Sequence, residues 1–191
     1  GGAAVQWVRD GLNLIESAEE INQLVEKVDD NGGVYFVPAL TGLGAPYWDQ
    51  YARGMIMGVT RGTTDAHIAR ATLEGIAFQV YDIVKAMEAD AGKESIELRV
   101  DGGAAASDLL LQIQSDLFRF KILRPKTIET TALGAAYLAG LAVDYWENID
   151  EIQSQWEVDR EFQPKKEPED VKKMLHYWHK AVNLSRNWIV E

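Results

Sequence analysis

One segment limits what this chain can become. From Asp65 to Ala91 the apolar residues Ala69, Leu73, Ile76, Val80, Ile83 and Met87 alternate between spacings of four and three, which places them on one stripe of a 3.6-residue period. The spacing predicts a long helix over 65–91, with Thr64 as its cap and Gly92 as its stop. Just before it, Met55 to Val59 reads as a short apolar strand. A strand, a turn and a long amphipathic helix in that order point to α/β packing.

The rest of the chain continues the alternation. Ala3 to Leu12 and Glu19 to Val28 read as helices, the second opened by Ser17 with Glu20 three residues on, the spacing of a capping box. Asn31-Gly32-Gly33 stops it. Val34 to Val37 is a β-branched and aromatic run ended by Pro38, a buried strand feeding the glycine-rich loop from Thr41 to Gly44. Further strands are predicted at Ile96–Val100 and Lys121–Leu123, and helices at Ser107–Phe118 and Thr131–Tyr145. The last of these is rich in Ala and Gly and suited to close packing against a neighbouring helix or backbone. In the tail from Pro164 to Glu191, Val171, Leu175, Trp178, Val182 and Ile189 share a stripe, with Pro168 near the first turn. We read one domain over 1–163 with residues 164–191 as a terminal helix docked on it. The charged stretch Lys165–Lys173 is a solvated helix start.

At 191 residues, 47% hydrophobic, the chain is long enough for one domain with a sizeable core. Its formal charge of −11 opposes nonspecific attraction to nucleic acid or an anionic membrane. A nucleotide is still admissible, because backbone N–H groups, a local lysine or a metal hold phosphate whatever the net charge. No cysteine is present, which removes disulfide and thiol chemistry and is compatible with a reducing cytoplasm. The most apolar run, Thr131 to Val143, falls short of the roughly 20 residues that span a bilayer. The chain begins Gly-Gly-Ala-Ala without Met or a basic-then-apolar leader, so no signal peptide is expected and a missing front is.

Few residues carry chemistry. Asp101-Gly102-Gly103 ends a strand and leads into a helix near Ser107, a turn at which backbone approaches a ligand with no side chain between them; it suits phosphate or adenosine, or it is only a turn. Gly2 and Gln6 are four apart and share a helix face. Thr41-Gly42-Leu43-Gly44-Ala45-Pro46 is no dinucleotide fingerprint, since Pro46 intrudes and the third glycine is absent. Tyr47 and Trp48 are expected to pack that loop down. Asp49, Asp65 and Asp101 lack a partner at the spacing of a general base; Asp65 is expected to complement the helix N-terminus and His67 to cap or pack. His176 and His179 lack a third metal ligand at fixed spacing.

Gly54-Met55-Ile56-Met57-Gly58-Val59 followed by His67-Ile68-Ala69-Arg70-Ala71-Thr72-Leu73-Glu74 resembles the second signature of the FGGY carbohydrate kinases. Thr41 to Asp49 and Tyr51-Ala52-Arg53-Gly54 resemble the corresponding loop of the glycerol-phosphorylating branch of that family. The resemblance implies a partial actin-like ATPase (ribonuclease H-like) domain, helix-rich with a small incomplete sheet. It implies ATP or ADP with Mg2+ as cofactor, held by Gly2, Gln6, Gly102, Gly103 and Ser107, the last standing where Asn is common. Asp101 could then face a magnesium-bound phosphate, and the Thr131–Gly140 helix would close a hinge. It assigns glycerol and the catalytic base to a part preceding Gly1, so no catalytic residue is expected here and the chain alone is expected to be inactive. An open sheet edge or apolar face is expected to favour a homo-oligomer. A sibling sugar kinase, a nonenzymatic nucleotide-binding module and a purely structural interaction module stay as alternatives.

Overall fold

The structure, a computed structural model, describes residues 1–190. Helices α1 (Gly2–Asp10) and α2 (Glu20–Val25) lead into strand β1 (Tyr35–Val37), which pairs antiparallel with β2 (Met55–Met57), Phe36 opposite Ile56. Helix α3 (Asp65–Ala91) has the bounds its stripe predicts. His67 Nδ1 accepts from the Thr64 N–H at 3.2 Å and Asp65 Oδ1 accepts from the Ala66 N–H at 2.8 Å, so both early side chains serve orphan donors of the first turn. At the far end Gly92 takes φ 63, the left-handed conformation that stops helices.

The second half of the chain forms a separate sheet. β3 (Glu97–Arg99) runs through a turn and α4 (Asp108–Phe118) to β4 (Lys121–Pro125), parallel to β3 with Leu98 opposite Ile122. α5 (Thr130–Ala142) and α6 (Ile149–Ser154) follow, and β5 (Val158–Phe162) returns antiparallel to β4, Phe162 opposite Ile122. α7 (Pro168–Ser185) closes the chain. The α/β expectation holds, with two small sheets, β1-β2 and β3-β4-β5, in place of one.

The main core gathers Val8, Ile21, Leu24, Phe36, Leu73, Phe78 and Trp178 from α1, α2, β1, α3 and α7. Trp178 stacks on Phe78 with ring centroids 5.1 Å apart. A satellite cluster of Leu111, Phe118, Ile122 and Phe162 seats α4 on the larger sheet.

Along the α3 stripe the residues through Ile76 are buried, Val80 packs partly buried against the satellite cluster, and Ile83 and Met87 are exposed. Four expectations are corrected. The Ser17 capping box does not form; α2 starts at Glu20 with Glu19 as its cap residue, and the Glu20 carboxylate accepts from the Glu16 N–H instead. Among the described residues α5 finds no close helical neighbour. Its Gly140 abuts the Trp146 ring, where a Cβ would sit 2.1 Å from Cζ3, but Leu138 is exposed and a Cβ at Gly134 would meet nothing within 4 Å. Ile189 lies beyond the end of α7 and is exposed, its N–H donating to the Tyr51 carbonyl; Glu191, the last residue of the expected tail, lies outside the described residues. Trp48 does not pack its loop down, being 80% exposed.

One buried ion pair helps hold α3 against the turn after α2. Glu74, 4% exposed, accepts from Arg70 Nε at 3.2 Å and from Asn31 Nδ2 at 2.7 Å, while Arg70 Nη1 donates to the Val28 carbonyl. Burial raises the Glu74 pKa above its ordinary value of 4.5, and the Arg70 charge and the two donors oppose the rise without cancelling it. A carboxyl whose folded pKa is raised adds stability at low pH that is lost as pH climbs through the folded value. Glu74→Gln is therefore expected to remove a downward component of the stability curve above pH 4.5. Urea midpoints at successive pH values measure it, with the difference in slope between the two proteins as the readout.

Candidate functional site

The turn after β3 is built from backbone. Val100 N–H still donates to the Leu123 carbonyl; then Gly102 turns at φ 81 and its N–H donates to the Ile128 carbonyl at 2.8 Å. A single 3₁₀ turn, Gly103–Ala106, closes through Ala105 N–H to Gly102 O at 2.9 Å. Ser107 caps α4, its Oγ accepting from the Leu110 N–H at 3.3 Å. The φ at Gly102 explains that glycine. Gly103 has no such requirement, and a Cβ at either position would meet nothing within 4 Å, so open space faces the backbone here.

Arg124 on β4 fixes this turn from behind. Its Nη1 donates to the Ala105 carbonyl at 3.1 Å and to Asp108 Oδ1 at 2.8 Å, and its Nε donates to Asp159 Oδ2 at 2.8 Å. Arg160 pairs with the other Asp108 oxygen. A mostly buried guanidinium holding a carbonyl and two carboxylates makes the turn a rigid platform.

The N-terminus of α1 comes to the same region. Gly1, its cap residue, lines a cleft of about 370 Å³ together with Asp101, Ala104 and Ala105. Gly2 and Gln6 are exposed, and a Cβ at Gly2 would meet nothing within 4 Å. Buried Gln114 also lines the cleft, and its Oε1 has no partner among the described residues. The structure thus brings Gly1 and the turn residues Asp101, Ala104 and Ala105 to one cleft, while Gly2, Gln6, Gly102 and Gly103 are not among the residues that line it. Ser107 differs: it is 6% exposed, and its hydroxyl donates to Asn22 Oδ1 at 2.6 Å.

The acids and histidines fall where structure uses them. Asp49 accepts from the N–H groups of Tyr51, Ala52 and Asn187, and these backbone donors, Asn187 first, hold its carboxyl below the usual carboxylate range. His179 Nε2 pairs with Asp82 Oδ1 at 3.0 Å. Asp82 also accepts from Tyr47 Oη and Trp178 Nε1, each at 2.7 Å. Among the described residues no three His, Asp or Glu side chains converge as a metal set. Sequence reasoning missed Asn22, Arg124 and Asp82. Only Asp82 gave a signal, as the one acid between Glu74 and Glu88 on α3.

Comparison with known proteins follows the same lines. The family model described as the C-terminal domain of the FGGY family of carbohydrate kinases matches residues 1–143. A glycerol kinase of Dichelobacter nodosus is 66% identical over 191 residues, all of this chain and 38% of that protein. One of Parabacteroides distasonis is 60% identical over 98% of this chain and again 38% of its own length. The chain therefore spans little more than a third of these relatives. In structure it resembles a Plasmodium falciparum glycerol kinase crystallised with ADP, with a TM-score of 0.86 at 38% identity, covering 100% of this chain and 37% of that one. A ligand-bound xylulose kinase of Lactobacillus acidophilus gives a TM-score of 0.73 at 26% identity, covering 97% and 36%.

Proposed function

The chain belongs to the FGGY family of carbohydrate kinases, and from that membership we propose that it is the nucleotide-binding part of a glycerol kinase. The whole enzyme moves the γ-phosphoryl group of ATP to a glycerol hydroxyl, giving glycerol 3-phosphate and ADP. The fold on this reading is part of an actin-like ATPase domain. ATP or ADP lies over Gly102 and Gly103, with Gly2 and Gln6 of α1 on its other side and Ser107 beneath. The observation that carries the reading is the vacant space over Gly102 and Gly103, backbone held rigid by Arg124 and open to a ligand.

Chemistry follows from that placement. Phosphoryl transfer needs positioning and charge stabilisation more than covalent help. The described residues form no metal cage, so we assign Mg2+ to the nucleotide's own phosphates. The acceptor and its base belong on this reading to the part of the relatives that this chain does not span, and the chain by itself binds nucleotide without turnover. The absence of cysteine fits a cytoplasmic enzyme. Exposed Leu138, Val143 and Tyr145 around α5 favour self-association, which light scattering across a concentration series checks.

The test is a calorimetric titration with ADP, and with ATP plus magnesium. Gly103→Val is tolerated by the fold, since its side chain enters empty space, yet it fills the space the nucleotide needs. It is expected to weaken ADP binding by about thirtyfold or more, some 2 kcal/mol. Unchanged affinity in a variant of unchanged stability overturns the placement.

A further inference from the structure

Ser107 does two things with one hydroxyl. Its oxygen caps α4, and its hydrogen is donated to Asn22 Oδ1 on α2 at 2.6 Å, a contact between residues 85 apart in sequence. That bond assigns the Asn22 amide: oxygen toward Ser107, nitrogen away from it. Nδ2 makes one long contact, 3.4 Å to the Glu19 carbonyl, and keeps a second N–H without a partner among the described residues. Asn22 is half-buried and lines a cavity of about 530 Å³ with Ala106, the last residue of the 3₁₀ turn, and Asp108 and Leu109, the first two of α4.

We propose that Asn22 reads the nucleotide base, its Nδ2–H donating to a ring nitrogen of a purine while Ser107 acts as the positioning residue that orients the amide. The inference rests on the nucleotide lying over Gly103. A hydrogen-bond donor held at a fixed angle recognises an acceptor, and the ring nitrogens N3 and N7 are acceptors on adenine and guanine alike. With Oδ1 held toward Ser107, the amide presents Nδ2 rather than its oxygen to the base. The contact therefore anchors a purine without choosing between the two, and ADP and GDP gain from it equally.

Asn22→Asp isolates the donor. It keeps the shape and the acceptor for Ser107, so the α2–α4 contact survives, but it turns the base-facing nitrogen into an oxygen opposed to the ring nitrogen's lone pair. In the intact natural polypeptide, ADP and GDP affinity are each expected to fall about tenfold or more, the scale of leaving one polar group unpaired. Inorganic pyrophosphate, which has no base, is expected to bind the variant and the parent alike. Ser107→Ala, which frees the amide to turn over, is expected to weaken ADP by a smaller factor and to leave pyrophosphate unmoved. Equal losses for ADP and pyrophosphate mean charge repulsion alone and overturn the inference. If Asn22→Asp binds ADP as the parent does while Gly103→Val does not bind it, the nucleotide site stands and Asn22 does not read the base. If the parent fails to bind ADP, or Gly103→Val leaves binding intact, the site assignment falls and the inference falls with it.

Discussion

Gly75→Ala is expected to destabilise the protein by on the order of 3 kcal/mol, at the upper end of what overpacking costs. Gly75 sits inside α3, where a Cβ would come within 2.3 Å of the Phe36 carbonyl oxygen and 3.4 Å of the Pro38 ring. Flexible side chains move aside from such contacts; backbone in a paired strand does not. Phe36 is 2% exposed and opposite Ile56 in the β1-β2 ladder, so the oxygen yields only if the strand or the helix shifts. For a domain of this size the loss corresponds to a fall in Tm of about 6–12 °C. Gly134→Ala in α5 is the matching control, since its Cβ would meet nothing within 4 Å. There the helix propensity of alanine acts alone and gains roughly 0.5–1 kcal/mol. Opposite signs for one substitution type at two helical glycines separate close packing from propensity. A neutral Gly75→Ala would mean that α3 does not lie against β1 at the described distance.

What was legible in the sequence divides along the same physical line. α3 was legible to the residue because its stripe, its cap and its glycine stop are local signals that agree with one another. The exposure of Ile83 and Met87 was not, since a stripe announces that a face is apolar without saying what covers it. β5 went unseen because Val158-Asp159-Arg160-Glu161-Phe162 buries only Phe162, and its charges are those of an edge strand, whose outer side meets water. The small residues of α5 promised a close neighbour and delivered one ring, Trp146.

The candidate site divides likewise. The turn at Gly102 and Gly103 could be read from two adjacent glycines after a strand. The groups that hold it could not: Arg124 reaches the Ala105 carbonyl across 19 residues and Asn22 reaches Ser107 across 85. Polar residues of this kind have no periodicity to betray them, and only the assembled fold shows which acceptor each one serves. Ser107 illustrates the consequence. By resemblance it is a ligand contact; by geometry its hydroxyl is committed to the α4 cap and to Asn22.

Trp178→Ala is expected to cost about 4 kcal/mol, and the reasons join α7 to the loop that carries Tyr47. Trp178 is fully buried and stacked on Phe78, so truncation opens a large cavity in the main core. It also removes one of three donors from Asp82, whose carboxylate is 6% exposed. Trp178→Phe reduces the packing loss, because it keeps a ring on Phe78 while deleting the Nε1–H bond of 2.7 Å and only part of the indole volume; it is expected to cost about 1.5–3 kcal/mol. Asp82→Asn leaves the volume and keeps one oxygen able to accept from Tyr47 and Trp178, but it removes the charge that strengthens both bonds and sets an amide nitrogen in place of the oxygen facing His179. Burial, and then the bond to Asp82, raise the Tyr47 pKa, as expected for a phenol that stays protonated and donates. If Asp82 clamps the loop and α7 to α3, the Trp178→Phe and Asp82→Asn effects fall short of additivity by 0.5 kcal/mol or more, on the order seen for groups in one network. Urea unfolding of the two single variants and the double variant measures that coupling. Strict additivity would leave Trp178 as a packing residue only, with the Tyr47 loop held by Asp49 and its three backbone donors.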